Sequence, residues 1–199
     1  MSDGLERSLA LAQLEKSLNG YYPLSEGTWS KMRDICRVRH LEKHGVLYQM
    51  GVVPTTFAVV YKGLFRAFAS DAKGHQYNKT LFEEGQWPAA ISALLKTEAS
   101  LVTVEALESS VILEINFADY RRLLESHHDL ALMQVHYLEH NWLLAKDARE
   151  IALVQEDAGQ RYQQFLQDFP RLAKRLTQYH IASHLGITPT QLSRIRKNQ

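Results

Sequence analysis

The sequence predicts an α+β chain: an antiparallel β sandwich or barrel, then a long helix, then two helices joined by a tight turn. Three observations carry this expectation. Between about Arg39 and Phe117 the runs "GVLYQMG", "TFAVVYKGLFRAFASDAKGHQYNKTLFEEGQWP" and "LVTVEALESSVILEI" are short and apolar or alternating. They are broken by Gly45, Gly51, Gly63, Gly74 and Gly85, as strands are by their turns. After Phe117 the glycines stop until Gly159 and a helical register takes over. Finally, "YHIASHLGITPTQLSRI" puts Ile181, Ala182 and Leu185 on one face ahead of Gly186, with Leu192 and Ile195 facing back from beyond it.

Each element has its own warrant. Leu5, Leu9, Ala12 and Leu14 lie near helical spacing within Leu5–Leu18, and Trp29, Met32 and Ile35 do so within Thr28–Val38, so two short helices open the chain. "SDAKG" reads as a hairpin turn in which Gly74 supplies a positive φ. From about Asp119 to Asp157 one helix is expected, with Leu130, Tyr137, Leu144 and Ile151 recurring every seven residues. Gln134, Asn141, Ala148 and Gln155 fall at the intervening positions, an unusually polar second row. That pattern reads as the seam of a two-stranded dimer; the other reading is a single amphipathic helix packed on its own barrel. A further helix in "DAGQRYQQFLQDFPRLAKRLTQ" should end near Phe169, because Pro170 disfavours helical geometry in the residue before it. The boundaries are then 1–118, 119–157 and 158–199.

The 199 residues are 45% hydrophobic and 23% charged with a net charge of +1, which is ordinary for a soluble globular protein. The average hides a split. From Arg161 onward seven Lys/Arg face one acid, against 16 basic and 21 acidic residues before it, so a basic tail sits on an acidic body. Cys36 is the only cysteine, which excludes an internal disulfide and an all-cysteine iron–sulfur or zinc site, and no haem site is evident. No run suits a membrane span, and "MSDGLERSLALAQLEKS" carries acids where a signal peptide needs a basic and then apolar start, so a cytoplasmic protein is expected. His136 and His140 are spaced like zinc ligands but lack a metalloprotease glutamate, and His40, His44 and His75 do not make a cupin triad. No nucleophile, base and orienting acid can be assembled, so an enzyme is not expected.

The tail motif is the most specific. Thr188 stands at an N-cap, Pro189 at the first helical position and Gln191 three residues after the cap, the pattern of a capping box. Thr190, Gln191, Ser193, Arg194 and Lys197 fall on the exposed side, with Arg196 near the helix end. Such a helix suits a major groove, where Gln can pair with adenine and Arg with guanine.

On these residues the chain resembles the cyclic-AMP receptor protein and FNR (Crp/Fnr) family of bacterial transcription regulators. "IASHLGITPTQLSRIRK" and "QRYQQFLQDFPRLAKRL" are the closest local likeness, and Gly51, Gly63, Gly74 and Gly85 fit the family's roll. The resemblance implies an N-terminal antiparallel β-roll (a double-stranded β-helix of the cyclic-nucleotide-binding type), a dimerisation helix and a C-terminal helix-turn-helix. It also implies an effector cassette running from Gly85 through Ala89, Ala90, Ser100 and Leu101. Two departures qualify it. The family's glutamate and arginine for ribose and cyclic phosphate are here Ala90 and Ser100, so cyclic AMP is not expected to bind, with Arg66 and Lys96 the nearby cations that could substitute. Family members usually add a wing after the reading helix, whereas "KNQ" follows Arg196 here, so a minimal, wingless reader is expected.

The expected function is therefore a homodimeric, DNA-binding transcription regulator. Its partners are double-stranded DNA, a second copy of itself, RNA polymerase and a small-molecule effector that the sequence does not name, with no membrane. The alternative is a ligand-binding or protein-interaction dimer whose helix-turn-helix is vestigial.

Overall fold

The computed structural model describes residues 3–71, 73–74 and 76–198. Two helices lead, α1 (Asp3–Tyr21) and α2 (Glu26–Asp34). The strands follow: β1 (Cys36–Leu41), β2 (Val46–Tyr48), β3 (Thr56–Lys62), β4 (Phe65–Ser70) and β5 (Gln76–Phe82), then β6 (Thr103–Ala106) and β7 (Ser110–Asn116) after a short helix α3 (Ile91–Lys96). They form two antiparallel sheets, β1-β7-β3 and β2-β6-β4-β5, so the α+β expectation holds.

Alternation in β3 shows why these residues make a middle layer. Ala58 and Val60 face the second sheet with Phe65, Ala67, Val104, Ala106 and Ile112, while Phe57 and Val59 face the helices with Leu113 and Ile115. Both faces of β3 and β7 are thus covered. The helix side is closed by Leu11, Leu14 and Leu18 of α1 and Met32 of α2. Leu5, Leu9 and Ala12, expected on the packed stripe of α1, lie exposed; the buried stripe runs through Ala10, Leu11, Leu14 and Leu18 instead. Likewise α2 stops at Ile35, not Val38, because Cys36 and Val38 pair with Ile115 and Leu113 in the sheet. Sheet pairing overrides the helical spacing there.

Gly63 turns β3 into β4 at φ 121°, and a Cβ there would lie 2.1 Å from the Ser110 hydroxyl, so only glycine fits. At the β4–β5 turn Gly74 has φ 82° and donates to Asp71 O at 3.0 Å, as the hairpin reading required.

The expected long helix is not continuous. It comes as α4 (Phe117–Ser126), α5 (His128–Leu138), a π-helical segment Glu139–Leu144 and α6 (Ala145–Gln155). The break falls at His127, whose backbone is extended, and Asp129 just beyond it is held by Ser25 N–H and the Thr28 hydroxyl, each at 2.8 Å. α7 (Ala158–Asp168) ends before Phe169 as Pro170 requires, and α8 (Leu172–Arg175), α9 (Gln178–Leu185) and α10 (Pro189–Lys197) complete the chain. None of the described helices is long and apolar enough to cross a membrane.

Candidate nucleic-acid interface and effector cassette

The candidate reading unit is built from α9 and α10 around Leu192 and Ala182, both fully buried, with Ile181 and Leu185 beside them. Ala182 leaves room for the crossing, and Gly186 makes the turn at φ 70°. At the start of α10 the capping box is closed in both directions: Thr188 Oγ1 accepts from Gln191 N–H at 3.2 Å, and Gln191 Oε1 accepts from Thr188 N–H at 2.8 Å. Thr188, Thr190, Gln191, Arg194, Arg196 and Lys197 are exposed and Ser193 is half-buried. Arg194, Arg196 and Lys197 have no ion-pair partner among the described residues, so three cations and a threonine are presented to solvent from one capped helix. Gln191 is the exception within this set, because its amide oxygen is already committed to the cap.

This unit is docked on its own roll. Leu64 and Leu81 join the core made by Tyr162, Phe165, Leu172, Leu176 and Ile181. Asn78 of β5 donates its N–H to Ser183 Oγ at 2.9 Å and lies 3.2 Å from His180 Nδ1 through its side-chain amide, while the Tyr179 hydroxyl donates to Gln76 O at 3.2 Å. Arg175 of α8 reaches both Glu84 oxygens, at 2.9 and 3.0 Å, and Glu108 at 2.5 Å. Burial of Glu84 acts to raise its pKa, but hydrogen bonds from Arg175 and from Gly63 N–H outweigh it and hold the carboxyl below its ordinary range.

The cassette residues do not converge on a phosphate site. Gly85 turns at φ 84° with its N–H on Val60 O, and beside it is a cavity of about 10 Å³ lined in part by Gln13, Ser17 and Tyr61, room for about one water. Ala90 is buried at the start of α3 and brings no side-chain cap, with Ala89 half-buried before it. The Ser100 hydroxyl donates to Val102 O at 2.6 Å and accepts from Val102 N–H, and its backbone pairs with Gly51 and Val52, so it holds a loop closed. Leu101 is 82% exposed. Arg66 does not replace the missing cation: its guanidinium is buried over the Phe68 ring and bonded to Gln76, Asn78 and Glu105, on the side where α9 docks. Lys96 is exposed at the end of α3.

The heptad seam divides. Leu130 is fully buried in its own subunit and Tyr137 stacks on Trp87 at 4.4 Å, so neither is available to a partner; both pack inward because α5 lies across α1 and the roll. Leu144 and Ile151 are 61% and 56% exposed. A different apolar row is open, a surface groove formed by Val135, Leu138, Trp142 and Leu143 with Glu139 and Lys146 at its rim. Val135, Leu138, Trp142 and Ala145 follow a heptad in another frame, interrupted at Arg149 before Ala152, a signal present in the sequence. Among the histidines, His136 lies 3.5 Å from Glu139, His40 is 2.6 Å from Glu6 and His44 is 2.9 Å from Glu105. His75 lies outside the described residues.

Residues 38–127 match the family model described as the cyclic nucleotide-binding domain. No curated protein matches the chain by sequence. Among solved structures, FixK2 from Bradyrhizobium japonicum is similar with a TM-score of 0.69 at 14% identity, covering 82% of this chain and 84% of that one. The c-di-GMP responsive global regulator CLP of Xanthomonas campestris gives 0.67 at 15% identity over 87% and 91%. The catabolite activator protein of Thermus thermophilus gives 0.54 at 19% identity over 92% and 85%.

Proposed function

We propose that this chain, which carries a cyclic nucleotide-binding domain over residues 38–127 within the fold of the Crp/Fnr regulators, is a dimeric DNA-binding transcription regulator that does not respond to cyclic AMP. The observation that carries the reading is the closed capping box of α10 presenting Thr190, Arg194, Arg196 and Lys197 to solvent. Arg194, mid-helix, reads a base edge, while Arg196 and Lys197 meet phosphates. Thr188 and Gln191 fix where the helix starts, and Ser193 and Thr190 line its approach.

Two copies pair through Val135, Leu138, Trp142 and Leu143, with Leu144 and Ile151 flanking, because this apolar groove otherwise faces water. Such a pair has a two-fold axis and presents two reading helices about 34 Å apart, one turn of the duplex. With Ala90, Ser100 and the closed Val52–Ser100 loop where a cyclic phosphate would need a carboxylate–guanidinium pair, an effector of another chemistry, or RNA polymerase itself, is the regulatory partner. Selection of bound sequences from a random DNA pool across a series of salt concentrations tests the reading. Inverted repeats are expected, with affinity falling as salt rises. An absence of salt-dependent binding to any sequence would leave the helix-turn-helix vestigial.

A further inference from the structure

We infer that Arg175 is the joint through which the loop opening the effector cassette sets the position of the DNA reader. Glu84 immediately precedes Gly85, the turn from which the cassette runs, and it is fixed from two sides: its carboxylate accepts from Gly63 N–H at 2.9 Å and from both Arg175 Nη atoms. Arg175 also grips Glu108, in the turn between β6 and β7, so one guanidinium from α8 spans two loops of the roll. Planar two-point pairing fixes direction as well as distance, which a single lysine ammonium would not do. Only Leu176 and Thr177 separate Arg175 from α9, and Thr177 is its N-cap, so a shift of Glu84 is passed directly into the orientation of α9 and α10.

The rest of the docking surface agrees. α9 lies on β5 through Asn78–Ser183, Asn78–His180 and Tyr179–Gln76, and it leaves Thr190, Arg194 and Lys197 pointing to solvent. Docking therefore aims the reading surface and does not cover it. Arg175 is a positioning residue: it acts on DNA through the placement of α10. The assignment rests on the DNA-binding reading for its consequence but not for its existence, because the joint has its own observable. The Asn78 N–H is bonded across the interface to Ser183 Oγ, so its exchange with solvent reports undocking.

The test compares the full chain with Glu84→Gln, Glu108→Gln, the double variant, Arg175→Gln and Arg175→Lys, following Asn78 amide exchange by NMR and binding to selected and random DNA. With charge-assisted bonds lost at a partly exposed site, Asn78 exchange should quicken about tenfold in the double variant and in Arg175→Gln. The preference for selected over random DNA should fall by a similar factor, while binding to random DNA holds. Arg175→Lys should lie between, since lysine can serve one carboxylate. Unchanged Asn78 exchange in the folded Gln variants would overturn the joint. Faster exchange with the DNA preference intact would overturn its positioning role. If the unaltered protein binds no DNA, the regulator reading fails and the joint is judged on exchange alone.

Discussion

Gln191 Oε1 and the Thr188 backbone N–H are 2.8 Å apart, and the Thr188 hydroxyl lies 3.1 Å from the same oxygen. The glutamine that sequence logic offers to an adenine is therefore already the far half of its own helix cap. A bidentate pairing with adenine needs that oxygen as an acceptor.

Gln191→Glu, which keeps a capping-box partner, should leave both stability and base preference close to those of the unaltered chain. Gln191→Ala and Thr188→Ala should each cost about 1 kcal/mol of local stability without changing which base is preferred. Selected-site sequences from the three variants check this. Loss of an adenine preference in Gln191→Ala alone would mean the cap opens on DNA.

Arg194→Ala should cost about 1 to 3 kcal/mol on the selected site and little on random DNA. Lys197→Ala should weaken both and reduce the salt slope by about 1. Equal losses on both pools for Arg194→Ala would recast Arg194 as a phosphate contact.

Leu130 and Trp142 should separate folding from pairing. Leu130→Ala opens a cavity in the subunit core and should destabilise by about 2 to 5 kcal/mol. Trp142→Asp, on the open groove, should give folded monomers in sedimentation, and Leu144→Asp should do so less completely because Leu144 flanks the groove.

That half of the expected seam row, Leu130 and Tyr137, packs inward while Leu144 and Ile151 stay exposed has a physical reason. A helix that packs on its own roll at one end and projects at the other carries two apolar stripes. The Leu130–Tyr137 stripe faces inward to Trp87, and Val135–Leu138–Trp142 faces out. Periodicity detects both and cannot tell which side the roll occupies. Local signals fared better: Gly63, Gly74 and Gly186 turn where they were read to turn, and the Thr188 cap forms as its spacing requires. The Arg175 clamp was invisible for the opposite reason. Its partners Glu84 and Glu108 are 91 and 67 residues away, and no short-range pattern marks them.

Cyclic AMP should give no heat of binding in calorimetry at micromolar concentrations. Ser100 is closed on Val102 and Arg66 on Glu105, so neither faces a phosphate. Micromolar binding would show that the Val52–Ser100 loop opens and would direct attention to Lys96.

Acid should undock the reader in two stages. Burial holds the His180 imidazole below its ordinary pKa near 6.5; Arg66 on β4 and, more weakly, His44 push the same way, and Glu105 on β6 opposes them. Asn78 and Gln76 of β5 and Tyr179 of α9 are the neutral neighbours at this contact. The docked state therefore binds fewer protons there than the undocked one, so docking stability rises with pH and is lost as pH falls below about 6.5. Glu84 adds a second stage with the same sign. Its docked pKa is depressed, so its contribution is complete above the free carboxyl value of about 4.3 and disappears as pH falls through the lower docked value. Asn78 amide exchange, corrected for its intrinsic pH dependence, should be flat between about pH 7 and 8 and quicken below about 6.5. His180→Gln should remove the upper stage and leave the lower. An upper stage that survives in His180→Gln would belong to a group other than His180, and an unaltered protein with no quickening until below about pH 4.3 would assign the acid response to Glu84 alone.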